Sequence, residues 1–280
     1  MSGRRTEVTA RKIRALEIQG ANAIAKAALT ALAGDLADGA ANGKELAGEL
    51  CAARPNEPML RNLLSRFLSA PCEAGRATEA AEALLSEIAA DEKKIASKGA
   101  ELILDGMTVF THCHSSSAVG VLLEAHRSGK KFRVLNTETR PRYQGRITAK
   151  ELASNGVEVV HMVDSAAKHA LDGADLFIFG ADAILQSGYL INKVGTGIFC
   201  LVAARYDVPT YCATHTLKVV RDHLDEKVEE RDPAEVWPDA PAGVVVRNPA
   251  FDKVHLKYVT AFITEKGLLK DILSTVATAV

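Results

Sequence analysis

The chain has 280 residues, 48% of them hydrophobic and 25% charged, with a formal net charge of -1. That length suits one large or two modest domains of about 100–200 residues, the composition lies outside the disordered class, and the near-neutral charge gives no global pull toward nucleic acid or an anionic membrane. Apolar runs such as Leu176 to Gly180 are far too short to span a bilayer, and the polar start Met1-Ser-Gly-Arg-Arg-Thr-Glu carries no secretory signature.

From Val8 to about Lys98 the chain is rich in Ala, Leu, Glu and Lys, and apolar residues recur at helical spacing, as in Ile13, Leu16 and Ile24, and again in Leu63, Leu64, Phe67 and Leu68. Gly34 to Gly43 is expected to be a loop, Pro55, Pro58 and Pro71 punctuate the region, and Thr78 to Leu104 is a long-helix candidate. After Gly106 the rhythm changes to short β-branched runs separated by helical stretches. Strands are expected at Thr108–His112, Arg133–Thr137, Val157–Val163, Leu176–Gly180, Thr210–Ala213, Val244–Arg247 and Val259–Thr264. Helices are expected between several of them, at Ala118–Arg127, Ala149–Asn155 and Gly197–Tyr206. Strand and helix alternating at this pace imply an α/β fold: a helical N-terminal domain over 1–104, then a Rossmann-like domain over 105–280 with a mostly parallel sheet. Ligands of such sheets bind beyond the carboxyl ends of the strands.

The first strand runs into Thr111-His112-Cys113-His114-Ser115-Ser116-Ser117 and then a helix. A thiol before a helix N-terminus faces the positive end of the macrodipole, which favours thiolate, and the serines with the free N–H groups of the first turn suit a phosphate. The alternative is a small buried cysteine with serines as caps. Neighbours in an extended segment point to opposite sides, so at most one of His112 and His114 shares the pocket of the thiol, and no metal site is expected. The five cysteines (51, 72, 113, 200 and 212) are scattered without a CxxC pair, which argues against zinc and against a disulfide framework and places the chain in a reduced cytoplasm.

The second strand ends in Thr137-Glu138-Thr139-Arg140-Pro141-Arg142, where two arginines form a candidate anion clamp. The preceding loop lacks GxGxxG, so no dinucleotide cofactor is expected. Asp182 follows the apolar strand Leu176–Gly180; partial desolvation there would raise its pKa toward acid chemistry, or it is a helix N-cap. Asn192, Lys193 and Gly195-Thr196-Gly197 are expected to begin another helix and offer a second anion seat, and His215-Thr216-Leu217-Lys218 brings one more cation to the rim. A thiol, a carboxylate and several cations on one sheet edge suit a doubly anionic small substrate undergoing proton transfer.

These residues lie in longer motifs. "THCHSSSAVGVLLEA", "TETRPRYQGRITAKELASNGVEVVHMVDSAA", "FGADAILQSGYLINKVGT", "RNPAFDKV…FITEKG", "IRALEIQGANAIAKAAL" and the "ARP" at Ala53-Arg54-Pro55 cover nearly the whole chain. They resemble the archaeal ribose-1,5-bisphosphate isomerases, a family related to methylthioribose-1-phosphate isomerase and to the regulatory subunits of initiation factor 2B; "ERDPAEVWP" at Glu230 to Pro238 leans toward the ribose-1,5-bisphosphate branch. The resemblance implies an aldose–ketose isomerase without metal or redox cofactor, with Cys113 and Asp182 as catalytic residues. It places substrate contacts on Gln19, Gly20, Ala21, Asn22, Arg54, Ser115, Ser116, Ser117, Asn192, Lys193 and Lys218, beside the candidate clamp residue Arg140. It further implies a phosphosugar substrate, AMP as an activator, and a homo-oligomer, either dimer or hexamer. Two departures bear on the identity of the phosphosugar: Gln19-Gly20-Ala21-Asn22 stands where the family has Arg-Gly-Ala-Gly, and His215-Thr216-Leu217-Lys218 where it has Glu-Thr-Tyr-Lys. The rival readings are a methylthioribose-1-phosphate isomerase, whose motif after the cysteine runs "NTGALAT" instead of the His114-Ser115-Ser116-Ser117 found here, and a factor 2B-like subunit acting by protein contacts.

Overall fold

A computed structural model describes residues 4–70, 74–220 and 229–277. They form two compact units, one drawn from Met1–Asp91 and Leu217–Leu224, the other from Glu92–Thr216 and Asp225–Val280.

The first unit is helical: α1 (Arg5–Arg14), α2 (Ala21–Ala37), α3 (Gly43–Ala53), α4 (Pro58–Ser69) and the first part of α5 (Ala77–Ala100). Its core is built from Ile13, Ile24, Leu29, Leu32, Leu46, Leu50, Met59, Leu60 and Leu63, all fully or almost fully buried. Helix ends are set by local chemistry. Asn42 accepts from the Glu45 N–H to cap α3, and Pro58, which has no N–H to lose, opens α4. Asp35, buried on α2, accepts from the N–H groups of Arg5 and Thr6 at 3.0 Å each and from Thr6 Oγ1 at 2.7 Å. These bonds hold its carboxyl below the usual range against the opposing effect of burial, which is the largest single influence. The returning segment is tied in by Asn62 Nδ2, which donates to the carbonyls of Leu217 and Val219 at 2.7 and 3.0 Å.

The second unit is α/β. Its elements after α5 are β1 (Thr108–Thr111), α6 (Ser116–Arg127), β2 (Arg133–Thr137), α7 (Gln144–Ser154), β3 (Glu158–Met162), α8 (Ala167–Leu171), β4 (Leu176–Gly180), β5 (Ala183–Leu185), β6 (Tyr189–Lys193), α9 (Thr196–Arg205), β7 (Thr210–Ala213), β8 (Phe251–His255), β9 (Ala261–Thr264), β10 (Gly267–Leu269) and α10 (Ile272–Ala277). The main sheet has seven strands in the order β10-β9-β7-β4-β1-β2-β3. All neighbours pair in parallel except β10, which runs antiparallel to β9. The winding reverses between β1 and β4, so the switch point, where such sheets place their ligands, lies between these two strands. Both strands are buried along their whole length, and Phe110 of β1 packs against Phe177 and Phe199 with ring centroids 4.9 and 5.0 Å away.

The expected strands at Thr108, Arg133, Val157, Leu176, Thr210 and Val259 are all present to within two residues at either end. Val244–Arg247 is not a strand: Val244 and Val245 are 47% and 85% exposed, so the valine run has no buried face to pair against. The ladder partner from this region is β8, which joins β5 and β6 in a three-stranded antiparallel sheet. Asn192 and Lys193 likewise do not begin a helix. They end β6, and α9 starts at Thr196. Cys51, Cys113, Cys200 and Cys212 are unbridged thiols, and Cys72 lies outside the described residues. Among the described residues no helix is long and apolar enough to cross a membrane.

Candidate active site

Parallel pairing brings the carboxyl ends of the strands to one edge, and the residues that follow them are Cys113 after β1, Thr139 after β2, Asp164 after β3, Asp182 after β4, Thr214 and His215 after β7, and Glu265 after β9. The sequence pattern that makes β1, β4, β7 and β9, short runs buried on both faces, therefore also gathers the polar residues.

Cys113 is held in left-handed backbone, with φ of 64°. Its N–H donates to Thr139 Oγ1 at 3.1 Å, and its carbonyl accepts from Thr148 Oγ1 at 2.8 Å. Because the single Thr148 hydroxyl proton goes to that carbonyl, the 3.0 Å contact between His114 Nδ1 and Thr148 Oγ1 has the imidazole as donor. Thr139 is itself left-handed, with φ of 61°, and is pinned from the other side by Asp164, whose two carboxylate oxygens accept from the N–H groups of Thr139 and Arg140 at 2.8 and 2.7 Å. A left-handed non-glycine residue of this kind costs of order 1–3 kcal/mol. Two of them bonded to each other at the switch point mark a backbone held in place by its surroundings.

The ionisation of Cys113 differs from the thiolate expected of a helix N-terminus. The cap of α6 is Ser115, whose side chain accepts from Ala118 N–H at 3.4 Å, and Cys113 turns away two residues earlier. Although Cys113 keeps some accessible surface, the protein packed around it pushes the thiol up to about 11; the nearby Asp182 and Asp164 carboxylates add to this, while the Lys193 ammonium opposes it. Ser117 is buried, Ser116 is exposed, and Ser115 is partly buried against β4. At Gly180 an added Cβ would stand 2.2 Å from Ser115 Oγ, so glycine there is what lets the α6 cap sit across the switch point.

His112 is 2% exposed and bridges Val194 and Thr137, each at 3.0 Å. The Val194 carbonyl can only accept, so Nε2 carries the proton and Nδ1 accepts from Thr137 Oγ1. Burial lowers its pKa to about 4. The ring packs on Phe199 at 4.6 Å, and His112 is a neutral core residue. Among the described residues no group of three or more His, Cys, Asp and Glu side chains could hold a metal ion.

Asp182 lies half-buried between β4 and β5, with its N–H donating to the Ile191 carbonyl at 2.9 Å; it is a strand-to-strand connection, not a helix cap. Lys193 ends β6, is 8% exposed, and holds its ammonium 4.9 Å from the centre of the Phe251 ring. Burial lowers its pKa, against the pull of Cys113 and Asp182. Asn192 donates to Thr196 Oγ1 at 2.9 Å, and that hydroxyl donates to the Lys193 carbonyl at 2.6 Å, which locks the β6–α9 turn.

Two expected anion seats are filled by the chain itself. At the start of α9, Asp252 Oδ2 accepts from the N–H groups of Gly195 and Gly197 at 2.9 and 2.8 Å, so a carboxylate from β8 already occupies the dipole end. The arginines after β2 are also engaged. Arg140 donates to the Tyr143 hydroxyl at 2.8 Å and the Val236 carbonyl at 2.9 Å, and Arg142 pairs with Glu235 at 3.0 Å. They fasten the segment around Glu235 to the sheet edge and do not form an open clamp.

Cys113, Asp182, Lys193 and Ser115 to Ser117 thus belong to one unit. Gln19, Gly20, Ala21, Asn22, Arg54 and Lys218 belong to the helical unit. There Gln19 is exposed and donates to the Leu16 carbonyl at 2.8 Å, Gly20 takes φ of 85° before α2, Ala21 and Asn22 are buried in its first turn, and Arg54 Nε lies 3.8 Å from Glu57 Oε1. Lys218 is 5% exposed in the turn Thr216–Lys218. His215, 4% exposed, has Nδ1 3.8 Å from Glu265 Oε2, and Thr216 donates to the same carboxylate from both its N–H and its hydroxyl. Sequence reasoning missed Asp164, Asp252, Glu265 and Arg231. Asp164 and Glu265 each directly follow an expected strand and answer to the same rule that picked out Asp182.

Comparison with known proteins gives a consistent outcome. A family model described as the Initiation factor 2 subunit family matches residues 14–271. The chain is 37% identical to ribose 1,5-bisphosphate isomerase of Thermococcus kodakarensis over 292 residues, covering 93% of this chain and 89% of that protein. It is 34% identical to methylthioribose-1-phosphate isomerase of Pelotomaculum thermopropionicum over 303 residues, covering 95% and 83%. A crystal structure of a Pyrococcus horikoshii translation initiation factor eIF-2B superposes with a TM-score of 0.84 at 30% identity, covering 95% of this chain and 97% of that one.

Proposed function

This chain belongs to the initiation factor 2 subunit family, and on that footing we propose that it is a sugar-phosphate isomerase converting ribose 1,5-bisphosphate to ribulose 1,5-bisphosphate. The observation that carries the reading is a thiol, a carboxylate and a buried ammonium gathered at the switch point of the sheet, as Cys113, Asp182 and Lys193. The similarity to ribose 1,5-bisphosphate isomerases along 93% of the chain supports it. A sugar esterified at its anomeric oxygen cannot open by ordinary mutarotation. The ring oxygen needs a proton, and the proton at C2 must be removed. Asp182 supplies the first; Cys113, as thiolate favoured by Lys193, removes the second and returns it to C1, and each group contributes about 10²–10⁴-fold.

The thiol pKa near 11 favours a second assignment of the same pair, with the Cys113 thiol as acid and the Asp182 carboxylate as base. Exchange of the C1 proton of open-chain ribulose 1,5-bisphosphate with deuterium oxide separates the two, because it needs the base and no ring opening. Loss of exchange in Cys113→Ser but not in Asp182→Asn makes the thiolate the base; the reverse pattern makes the carboxylate the base.

Substrate class is tested by offering ribose 1,5-bisphosphate and methylthioribose 1-phosphate side by side, with and without AMP, and following ketose formation. A preference for the methylthio sugar would move the chain to the related isomerase, and turnover of neither, with capture of initiation factor 2 in a pull-down, would make it a binding subunit. A homo-oligomer and activation by AMP belong to the same reading, and sedimentation with and without AMP tests both.

A further inference from the structure

Lys193 is a largely buried cation. Its side chain ends the central strand of the small sheet, the residue is 8% exposed, and among the described residues its ammonium meets no hydrogen-bond acceptor, only the face of Phe251. The ammonium is not among the sealed polar atoms that lack a partner, so it keeps an open approach, and a second cation stands on the same ring. Arg231 places its guanidinium carbon 5.6 Å from the Phe251 centroid, against 4.9 Å for the Lys193 ammonium. Its side chain is 11% exposed, its Nε donates to Glu229 Oε1 at 2.9 Å, and its own N–H is fixed to the Asn248 carbonyl at 2.9 Å. No acceptor among the described residues meets the two terminal nitrogens of Arg231, which leaves the fork of the guanidinium unused. The Arg231 charge makes Lys193 harder to keep protonated, while Cys113, Asp182 and Glu229 pull the other way. The Coulombic influence of Cys113 and Asp182 also reaches Lys193, so this pair adjoins the thiol and carboxylate.

We propose that Arg231 is a substrate-binding residue, which with Lys193 seats one phosphate of the phosphosugar over the Phe251 ring beside Cys113. The fork of an arginine matches two oxygens of a phosphate, and an ammonium serves as a point charge on the third. The dianion turns two opposed cations into a paired cluster. Phe251 fixes their spacing from below, and Glu229 aims the fork by holding its Nε. The inference deepens the isomerase reading and rests on it for the identity of the ligand, but the anion seat can be tested without turnover.

The test uses inorganic phosphate as probe and alkylation of Cys113 by iodoacetamide as reporter, with modification at Cys113 read by peptide mass spectrometry. In the unmodified chain, phosphate slows alkylation at Cys113. Arg231→Met raises the phosphate concentration needed for half-protection by about ten- to a hundredfold, the loss expected for a charge-assisted pair. Arg231→Lys, which keeps the charge but loses the fork, raises it by a smaller factor of about three to ten and carries the test should the methionine variant not fold. No protection in the unmodified chain, or equal protection in the Arg231 variants, overturns the proposal. If ribose 1,5-bisphosphate is turned over but protection ignores Arg231, the seat fails and the isomerase reading stands. If protection depends on Arg231 but no phosphosugar is turned over, the seat stands and the isomerase reading fails.

Discussion

Cys113 and Thr139, both in left-handed backbone and 26 residues apart in sequence, are joined by a hydrogen bond of 3.1 Å from the N–H of the first to the hydroxyl of the second. The same hydroxyl lies 3.4 Å from the Thr137 carbonyl, to which it donates, so both its roles are used. The thiol is therefore aimed by the loop after β2 as much as by its own strand.

Removing that hydroxyl tests the link. Thr139→Ala leaves the Cys113 N–H without its acceptor and is expected to destabilise the protein by about 1–3 kcal/mol, with a fall in turnover larger than any rise in KM. Thr139→Ser keeps the hydroxyl and is expected to stay within about 1 kcal/mol of the native chain. Urea unfolding together with kcat and KM on the three proteins checks both statements.

The reactivity of Cys113 should report its raised pKa. Its folded value of about 11 lies above the ordinary 9.0, so the thiolate fraction grows about tenfold per pH unit through the range in which a free thiol has already ionised. Iodoacetamide rates at Cys113 from pH 7 to 11, compared with a denatured sample, should show the folded curve displaced to higher pH. A curve that levels near pH 8 would contradict this.

His112 should make the protein acid-sensitive. Its folded pKa of about 4 lies below the ordinary 6.5, so the unfolded chain binds the extra proton first. The stabilisation is present above pH 6.5 and is lost as pH falls toward 4, by about 3 kcal/mol from this one buried imidazole. Unfolding free energy measured between pH 7 and pH 4 should show that slope. His112→Asn, though less stable at pH 7, should show it reduced.

Gly180 is a steric gate between β4 and the α6 cap. Gly180→Ala drives a methyl into Ser115, 2.2 Å from its Oγ and 2.6 Å from its Cβ, and should cost about 1–3 kcal/mol. Adding Ser115→Gly should recover part of that loss, and a double-mutant cycle by thermal or urea unfolding measures the coupling.

These particulars show which parts of the molecule were legible in the sequence. β1, β4 and β7 read as strands because each is a short apolar run buried nearly throughout, and their order put Cys113 and Asp182 at one edge. The small sheet was not legible. β5 has three residues, and the far partner of β6 is β8, some sixty residues later, so no local pattern announces the ladder. Val244–Arg247 has strand composition but no surface to bury. Nearness of Cys113 to α6 in the sequence does not settle whether the thiol is aligned with the helix. The positive φ and the cap at Ser115, which decide the matter, are three-dimensional facts. The same holds for α9, whose dipole is met by Asp252 from a strand that begins more than fifty residues later.

The most direct test of the central claim, that Cys113 moves a proton on a phosphosugar, is NMR of α-ribose 1,5-bisphosphate incubated with the native protein and with Cys113→Ser. The account predicts ribulose 1,5-bisphosphate from the native protein and a loss of at least about a hundredfold in the variant. Equal turnover by the two proteins would contradict it.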